Sequence, residues 1–196
     1  MHTPYIILAS TSIYRRKLLS RLGIPFAVVS PNVDEAALTN ELPIDTALRL
    51  SQRKALSVAA DHPQALIIGS DQVASLHGKP MGKPGHHAAA VAQLQAMSGE
   101  TVLFHTGLSV HHARSGQTLT HVVTTTVRLR TLSDTQIDHY LNKDQPYRCA
   151  GSARVESLGI ALMESVQDED PTALIGLPLI TLTHMLATLG VDVLTA

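Results

Sequence analysis

The stretch Tyr5-Ile-Ile-Leu-Ala-Ser-Thr-Ser-Ile-Tyr-Arg-Arg-Lys-Leu-Leu19 joins an apolar run directly to a polar, cationic segment. Residues 5–9 predict a buried β-strand, and one of the hydroxyl residues 10–12 can cap a helix that ends at Gly23. The start of such a helix offers unpaired N–H groups and a partial positive charge, which suit an anion. The junction therefore predicts an α/β fold with an anion site after its first strand.

Three adjacent cations, Arg15, Arg16 and Lys17, follow in this helix. Positive side chains near a helix N-terminus oppose its dipole, so the run is unfavourable unless an anion binds there. The serine hydroxyls add donors, and the planar guanidinium of Arg15 suits phosphate oxygens. Taken alone, the spacing slightly favours the alternative of solvated surface residues, one of which pairs with an acid.

A second segment, Ile67-Ile-Gly-Ser-Asp-Gln-Val73, places one carboxylate, that of Asp71, just after the end of an apolar strand predicted at residues 65–69. Open α/β sheets bind ligands at the carboxyl ends of strands, so Asp71 could hold a divalent cation or activate a water. The alternative is an aspartate that stabilises a turn through its own backbone. Gly69 is expected to let the backbone turn out of the sheet.

Other charged residues are candidates for the same site. Glu35 lies in a predicted loop at residues 31–43 and could share an ion with Asp71, because Mg²⁺ favours carboxylate oxygens. Lys54, on a predicted helix, and Lys83, within Gly-Lys-Pro, could neutralise phosphate. The alternatives are a loop that faces solvent and ordinary surface lysines.

Glu156 lies between two glycines in a predicted loop and could accept paired N–H donors from a guanine edge. Spacing alone favours a salt bridge between Glu156 and Arg154. Cys149 is interpreted as a small core residue rather than a nucleophile. The histidines show no zinc-site spacing.

The remaining pattern predicts a mixed sheet flanked by helices, in one domain that spans residues 1–196. We find no repeat and no long linker. A Ser133-Asp-Thr-Gln136 capping box starts one helix. Further helices are expected at residues 44–60, 86–97 and 178–189, and further strands at 26–30, 73–76, 102–111, 119–131 and 159–166.

The net charge, the cysteine content and the lengths of the apolar runs argue against several classes of protein. The chain has 196 residues and a formal net charge of −1, which argues against a protein that coats nucleic acid. Its single cysteine allows no internal disulfide and fits the cytoplasm. No apolar run reaches the roughly 20 residues that a membrane helix needs, and residues 5–9 are too short for a signal peptide. We therefore expect a cytoplasmic protein without membrane contact.

Several motifs together resemble the Maf family of nucleotide pyrophosphatases, and the match spans nearly the whole chain. The opening segment contains a Ser-x-x-Arg element at residues 12–15, and the others follow in the family order. They are Val33-Asp-Glu35, Lys54, Gly69-Ser-Asp-Gln72, Gly82-Lys-Pro84, Cys149-Ala-Gly-Ser152 and Leu174-Ile-Gly-Leu-Pro178.

The resemblance implies a mixed α/β fold similar to that of inosine-triphosphate pyrophosphatases, with two lobes around a central cleft, often in a homodimer. It implies hydrolysis of nucleoside triphosphates between the α and β phosphates, a housecleaning reaction that requires a divalent cation, Mg²⁺ or Mn²⁺. Asp71 would be the general base or a metal-associated carboxylate, and Glu35 a carboxylate on the metal side. The phosphate-binding residues would be Ser12, Arg15, Lys54 and Lys83.

Within the family, Tyr14, Gln72 and Glu156 resemble the specificity positions of the branch that acts on 7-methyl-GTP. N7-methylation makes the purine cationic, and an aromatic face attracts a cation. A carboxylate can accept two N–H donors from guanine, and left unpaired by uracil or thymine it would penalise the wrong substrate. The alternatives are a dTTP or UTP pyrophosphatase of the same family and a non-catalytic nucleotide-binding regulator of cell division.

The segment after Lys83 departs from the family pattern. It normally carries acidic residues, whereas here it reads Gly85-His-His-Ala-Ala. These positions are expected to cap a helix.

Overall fold

A computed structural model describes residues 5–195. Within them the strands are β1 (Ile6–Ala9), β2 (Phe26–Val29), β3 (Leu66–Leu76), β4 (Lys79–Met81), β5 (Thr101–His112), β6 (Gln117–Leu129) and β7 (Met163–Gln167). The α-helices are α1 (Ile13–Leu19), α2 (Pro43–Leu56), α3 (His87–Met97), α4 (Asp134–Asp144) and α5 (Leu179–Thr188). Short 3₁₀ helices lie at Ser20–Leu22, Ala150–Ser152, Leu158–Leu162 and Ala173–Ile175.

The strands form one mixed sheet in the order β2-β1-β3-β5-β6-β7, with β4 paired to β3. β1 runs parallel to β2 and β3, whereas the other pairs are antiparallel. On one edge of β3, β1 pairs with residues 66–69 and β4 with residues 74–76. Residues 70–73 lie between these two partners, so the sheet has a gap there. The predicted mixed sheet with flanking helices is confirmed.

Helix α2 packs closely on the sheet because two strand positions are glycines. A Cβ on Gly69 would lie 2.2 Å from the carbonyl oxygen of Ser51, and one on Gly107 would lie 2.2 Å from that of Ala47. The expectation that Gly69 lets the backbone leave the sheet is therefore wrong. β3 continues through Asp71 to Leu76, and the glycine is needed for close contact with α2.

Two lobes share the sheet. One packs α1 and α5 against one face of β1 and β3, with α2 against the opposite face. The other packs α3 and α4 near the distal halves of β3, β5 and β6. The cleft between the lobes opens at the gap in β3.

Local signals in the sequence are largely confirmed. Ser12 caps α1 by accepting a hydrogen bond from the Arg15 N–H, and the capping box of Ser133 and Gln136 is present. His86 caps α3 by accepting from the Ala89 N–H, as expected for the segment after Lys83.

The strand expected at residues 159–166 is partly wrong. A 3₁₀ helix occupies Leu158–Leu162, and β7 begins only at Met163. Gly159 explains the shift, since its N–H bonds to the Arg154 carbonyl and folds this segment back on itself. Among residues 5–195, no helix is both long enough and apolar enough to cross a bilayer.

Candidate active site

The cleft has a volume of about 780 Å³ and is lined by both lobes. One side is formed by the β1–α1 junction, the 31–42 loop and α2, and the other by the Gly82-Lys83 segment and the turn around Glu156. Every site residue predicted from the sequence lines it: Ser12, Tyr14, Arg15, Glu35, Lys54, Asp71, Gln72, Lys83 and Glu156.

Arg15 is anchored in the cleft by a distant turn. Its Nε donates to the carbonyl oxygen of Gly176 at 2.7 Å, and the hydroxyl of Ser70 donates to the same oxygen at 2.8 Å. Gly176 has a φ of +117°, which favours glycine. Burial lowers the pKa of the guanidinium, while the charges of Asp71 and Glu35 raise it. Arg15 is thus a fixed cation rather than a solvated surface residue.

Lys54 joins the two predicted acids. Its side chain is only 6% exposed, and Nζ lies 2.5 Å from Asp71 Oδ1 and 2.6 Å from Glu35 Oε1. In the part of the chain that the structure describes, Asp71 Oδ2 makes no hydrogen bond to protein, so it can accept one from a water. The interpretation of Lys54 as a surface lysine is therefore wrong.

The loop that carries Glu35 is fastened to α2. Arg49 forms a two-bond ion pair with Glu41, at 2.5 and 2.7 Å, and also donates to the Ala36 carbonyl oxygen. Its hydrogen bond to Glu41 is the main cause that lowers the pKa of Glu41 to about 2. The sequence motifs do not include this ion pair, although the pair fixes the loop that holds Glu35 in place.

Lys83 lies at the cleft mouth, with Nζ 3.7 Å from Glu35 Oε2. Burial by itself would raise the pKa of Glu35, but the hydrogen bond and charge of Lys54, followed by the charges of Lys83 and Arg15, lower it. Glu35 therefore remains a carboxylate across the physiological range.

The acids Glu35 and Asp71 suit a hard cation. Mg²⁺ is commonly held by one or two carboxylates, with waters and substrate phosphate oxygens completing its shell. Among residues 5–195 there is no group of three or more His, Cys, Asp or Glu side chains placed to hold a metal. The donor set thus fits an ion that arrives with the phosphate rather than a closed protein cage.

Gln72 points to the opposite face of β3 from Asp71, because successive strand residues alternate. Its Nε2 donates to Thr106 Oγ1 and to the carbonyl oxygens of Ala173 and Leu174, at 3.0 to 3.1 Å. These acceptors occupy the amide nitrogen, and in the part of the chain that the structure describes no protein donor bonds to the amide oxygen. The amide oxygen is then the end of Gln72 that a ligand can contact.

Arg154 pairs with Asp144 and not with Glu156. Nη2 lies 2.7 Å from Asp144 Oδ1, and Nη1 donates to the hydroxyl of Tyr14 at 3.4 Å. The salt bridge that spacing favoured is therefore wrong, since Asp144 at the end of α4 takes its place. Burial raises the pKa of Glu156 above the usual glutamate value.

Cys149 also lines the cleft and is only partly buried, so it is not a core residue. Burial, with the nearby charge of Glu156, raises the pKa of its thiol. This disfavours the thiolate that a nucleophile needs, in agreement with the prediction.

Comparison with known proteins decides the family. The family model described as "Maf-like protein" matches residues 5–189. The chain belongs to the Maf family. The resemblance stated from the sequence motifs is thus confirmed.

Curated relatives place it within the family. A protein of Thiobacillus denitrificans is 56% identical over 98% of this chain and 96% of its own length, and one of Methylobacillus flagellatus is 56% identical over 97% and 100%. A protein of Bordetella pertussis is 54% identical over 98% and 96%. All three are named 7-methyl-GTP pyrophosphatase. The resemblance to that branch is confirmed.

Among solved structures, a HAM1 protein from Coxiella burnetii has a TM-score of 0.46 and 14% identity, over 65% of this chain and 73% of that one. This likeness is too distant to bear on fold or activity. The homodimer, the cytoplasmic location and the lack of nucleic-acid binding stay predictions.

Proposed function

We propose that this Maf family protein is a pyrophosphatase that hydrolyses the α–β phosphoanhydride of 7-methyl-GTP, releasing 7-methyl-GMP and pyrophosphate. The observation that carries the proposal is the convergence of Arg15, Lys54 and Lys83 with Asp71 and Glu35 in one cleft. The names of the relatives support both the reaction and the nucleotide.

The cations are suited to a triphosphate tail. Arg15 offers its remaining guanidinium N–H groups while Gly176 fixes its orientation. Lys83 is 62% exposed in its side chain and can turn toward an incoming phosphate. Binding at these positions would neutralise the charge that develops on the leaving phosphate group.

Asp71 is the residue we assign to water activation. Lys54 orients its carboxylate through Oδ1, which leaves Oδ2 to accept a proton from the attacking water. Attack at either the α or the β phosphorus breaks the same anhydride. Arg15, Lys54 and Lys83 then hold the phosphates in line.

Glu35 and Asp71 would hold a divalent cation, Mg²⁺ or Mn²⁺. When bound, the cation would neutralise negative charge on the phosphate groups. Lys54 already contacts both carboxylates, so the site is organised before substrate enters, and the three side chains together keep a net charge of −1 that favours a cation.

The base would lie against Tyr14, Gln72 and Glu156. The ring of Tyr14 attracts the cationic 7-methylguanine, and the carboxylate of Glu156 can accept two of its N–H donors. A pyrimidine would leave Glu156 unpaired, which disfavours dTTP and UTP.

The test is a metal-supplemented panel of triphosphates that includes 7-methyl-GTP, GTP, dTTP and UTP, assayed by pyrophosphate release. We expect 7-methyl-GTP to be preferred and Asp71→Asn to lower kcat by about 10²–10⁴-fold. Asp61→Asn, on an exposed turn, is the matched control. A preference for dTTP or UTP would select the pyrimidine enzyme, and tight binding without hydrolysis under any metal would select the regulator.

A further inference from the structure

We infer that Arg154 is a positioning residue that sets the base-binding end of the cleft, by holding Tyr14 and the turn that carries Glu156 in one arrangement. The inference rests on the proposed function. Neither the motifs quoted above nor the predicted site residues include Arg154 or its partner Asp144.

The guanidinium of Arg154 reaches separate parts of the fold. Nε donates to Ser157 Oγ at 2.9 Å, and Nη2 donates to Asp144 Oδ1 at 2.7 Å and to the Asp144 carbonyl oxygen. Nη1 reaches the hydroxyl of Tyr14 on α1, which is 140 positions away in sequence. One planar group therefore links α1, the end of α4 and the turn at residues 152–159.

The backbone of Arg154 organises the same turn. Its N–H donates to the hydroxyl of Tyr140 at 3.0 Å, and its carbonyl oxygen accepts from the N–H groups of Ser157 and Gly159 at 3.2 and 3.1 Å. A Cβ on Gly159 would lie 2.4 Å from that oxygen, so only glycine fits. The turn that presents Glu156 is thus wrapped around Arg154.

Charge explains why the Arg154–Asp144 pair matters for this substrate. A bare cation beside the site would repel the positively charged 7-methylguanine. The Asp144 side chain is 8% exposed; burial would raise its pKa, but the hydrogen bonds from Arg154 and Ser157 lower it. Asp144 therefore stays ionised and neutralises Arg154. Among residues 5–195 Glu156 has no ion-pair partner, so its charge remains for the base.

The geometry requires the fork of an arginine. A lysine keeps the charge but cannot donate in three directions from one plane. We expect Arg154→Lys to raise KM for 7-methyl-GTP about tenfold and to change kcat less than about twofold, because Asp71 and the phosphate cations are untouched. Arg114→Lys, in the exposed turn between β5 and β6, is the matched control.

A second variant tests the charge argument. Asp144→Asn leaves Arg154 uncompensated, so the ratio of kcat/KM for 7-methyl-GTP to that for GTP should fall by about tenfold. GTP carries the same base without the methyl group and its positive charge. A purely structural loss would therefore lower kcat/KM for both nucleotides by the same factor. Melting temperatures of all variants are measured alongside.

A double-mutant cycle with Tyr14→Phe completes the experiment. If Arg154 acts through Tyr14, the fold-increase in KM of the double variant should be smaller than the product of the fold-increases in the two single variants. Tyr14→Phe alone also keeps the test available if Arg154→Lys does not fold, since it should raise KM in the same direction. No turnover of 7-methyl-GTP by the wild-type protein would instead refute the proposed function. Wild-type turnover with unchanged KM and selectivity in folded Arg154→Lys and Tyr14→Phe would overturn this inference.

Discussion

The ammonium group of Lys54 lies 2.5 Å from Oδ1 of Asp71, although the two residues are 17 positions apart in sequence. The contact joins helix α2 to the middle of β3 at the gap between β1 and β4. The same ammonium group bonds to Glu35, so a single buried cation sets the spacing of both acids.

Replacing this cation should destabilise the protein. Lys54→Met removes the hydrogen-bond donor that Asp71 and Glu35 share and leaves only the charges of Arg15 and Lys83 nearby, so we expect a loss of about 3 kcal/mol in the free energy of unfolding at pH 7. Urea denaturation measures it. Lys143→Met, on the exposed face of α4, is the control and should change stability little.

The pH dependence of this loss has a defined sign. Lys54 helps to hold the pKa of Glu35 below its usual 4.5, so the stabilisation is present above pH 4.5 and is lost as pH falls through the lower, folded value. The difference between wild type and Lys54→Met should therefore shrink in acid. A difference that grows in acid would contradict this account.

A methyl group on Gly69 should push α2 away from the sheet. The new Cβ would meet the Ser51 carbonyl oxygen at 2.2 Å and the Ala55 nitrogen at 2.6 Å, both of them backbone atoms. We expect Gly69→Ala to cost about 2 kcal/mol, and to lower kcat because Lys54 moves with the helix. Gly82→Ala, where the Cβ would meet nothing within 4 Å, controls for stability. Equal melting temperatures for the two variants would refute the packing argument.

The Glu41–Arg49 pair should stabilise the protein against acid. The pKa of Glu41 falls from 4.5 to about 2, chiefly through its hydrogen bond with Arg49. Its contribution is complete above pH 4.5 and disappears as pH approaches 2. Glu41→Gln should therefore be less stable than wild type at neutral pH and converge with it near pH 2, as followed by circular dichroism. Glu169→Gln, an exposed control, should run parallel to wild type.

Glu156 should make recognition of 7-methyl-GTP pH-dependent. Because burial raises its pKa, Glu156 becomes neutral at a higher pH than an ordinary glutamate does. KM for 7-methyl-GTP should then rise as pH falls through that value, while kcat follows the other groups. Glu156→Gln should raise KM about tenfold at neutral pH and abolish this component of the pH profile. A profile shared by wild type and variant would exclude Glu156 from the base site.

Short-range rules were sufficient for much of the fold. The cap at Ser12 and the capping box at Ser133 depend on neighbours three residues away, and burial alternates every two residues over positions 123–129 of β6, within the strand predicted at residues 119–131. The predicted site residues all line one cleft, and their roles in it stay predictions. Helix caps and strand alternation depend on residues close in sequence, and motifs depend only on which residues are present. Both can therefore be read from a single sequence.

Contacts between residues far apart in sequence explain why the predictions for Gly69 and for the Arg154–Glu156 salt bridge were wrong. Nothing near Gly69 in sequence indicates that α2 would pack against it, and Arg154 lies closer in sequence to Glu156 than to Asp144. Asp144 gains Arg154 because the 152–159 turn folds back over the end of α4. Arg49 and Asp144 were missed because their importance comes from what they hold in place.

The carbonyl oxygen of Gly176 has a consequence for the order of folding. It accepts from both Arg15 and Ser70, so the first helix and the central strand are tied together by a residue 161 positions after Arg15 and 106 positions after Ser70. A contact over so long a stretch of chain carries a large loop-closure cost and forms only after residue 176 has been synthesised. Arg15 therefore reaches its final orientation late, once the intervening elements have already packed.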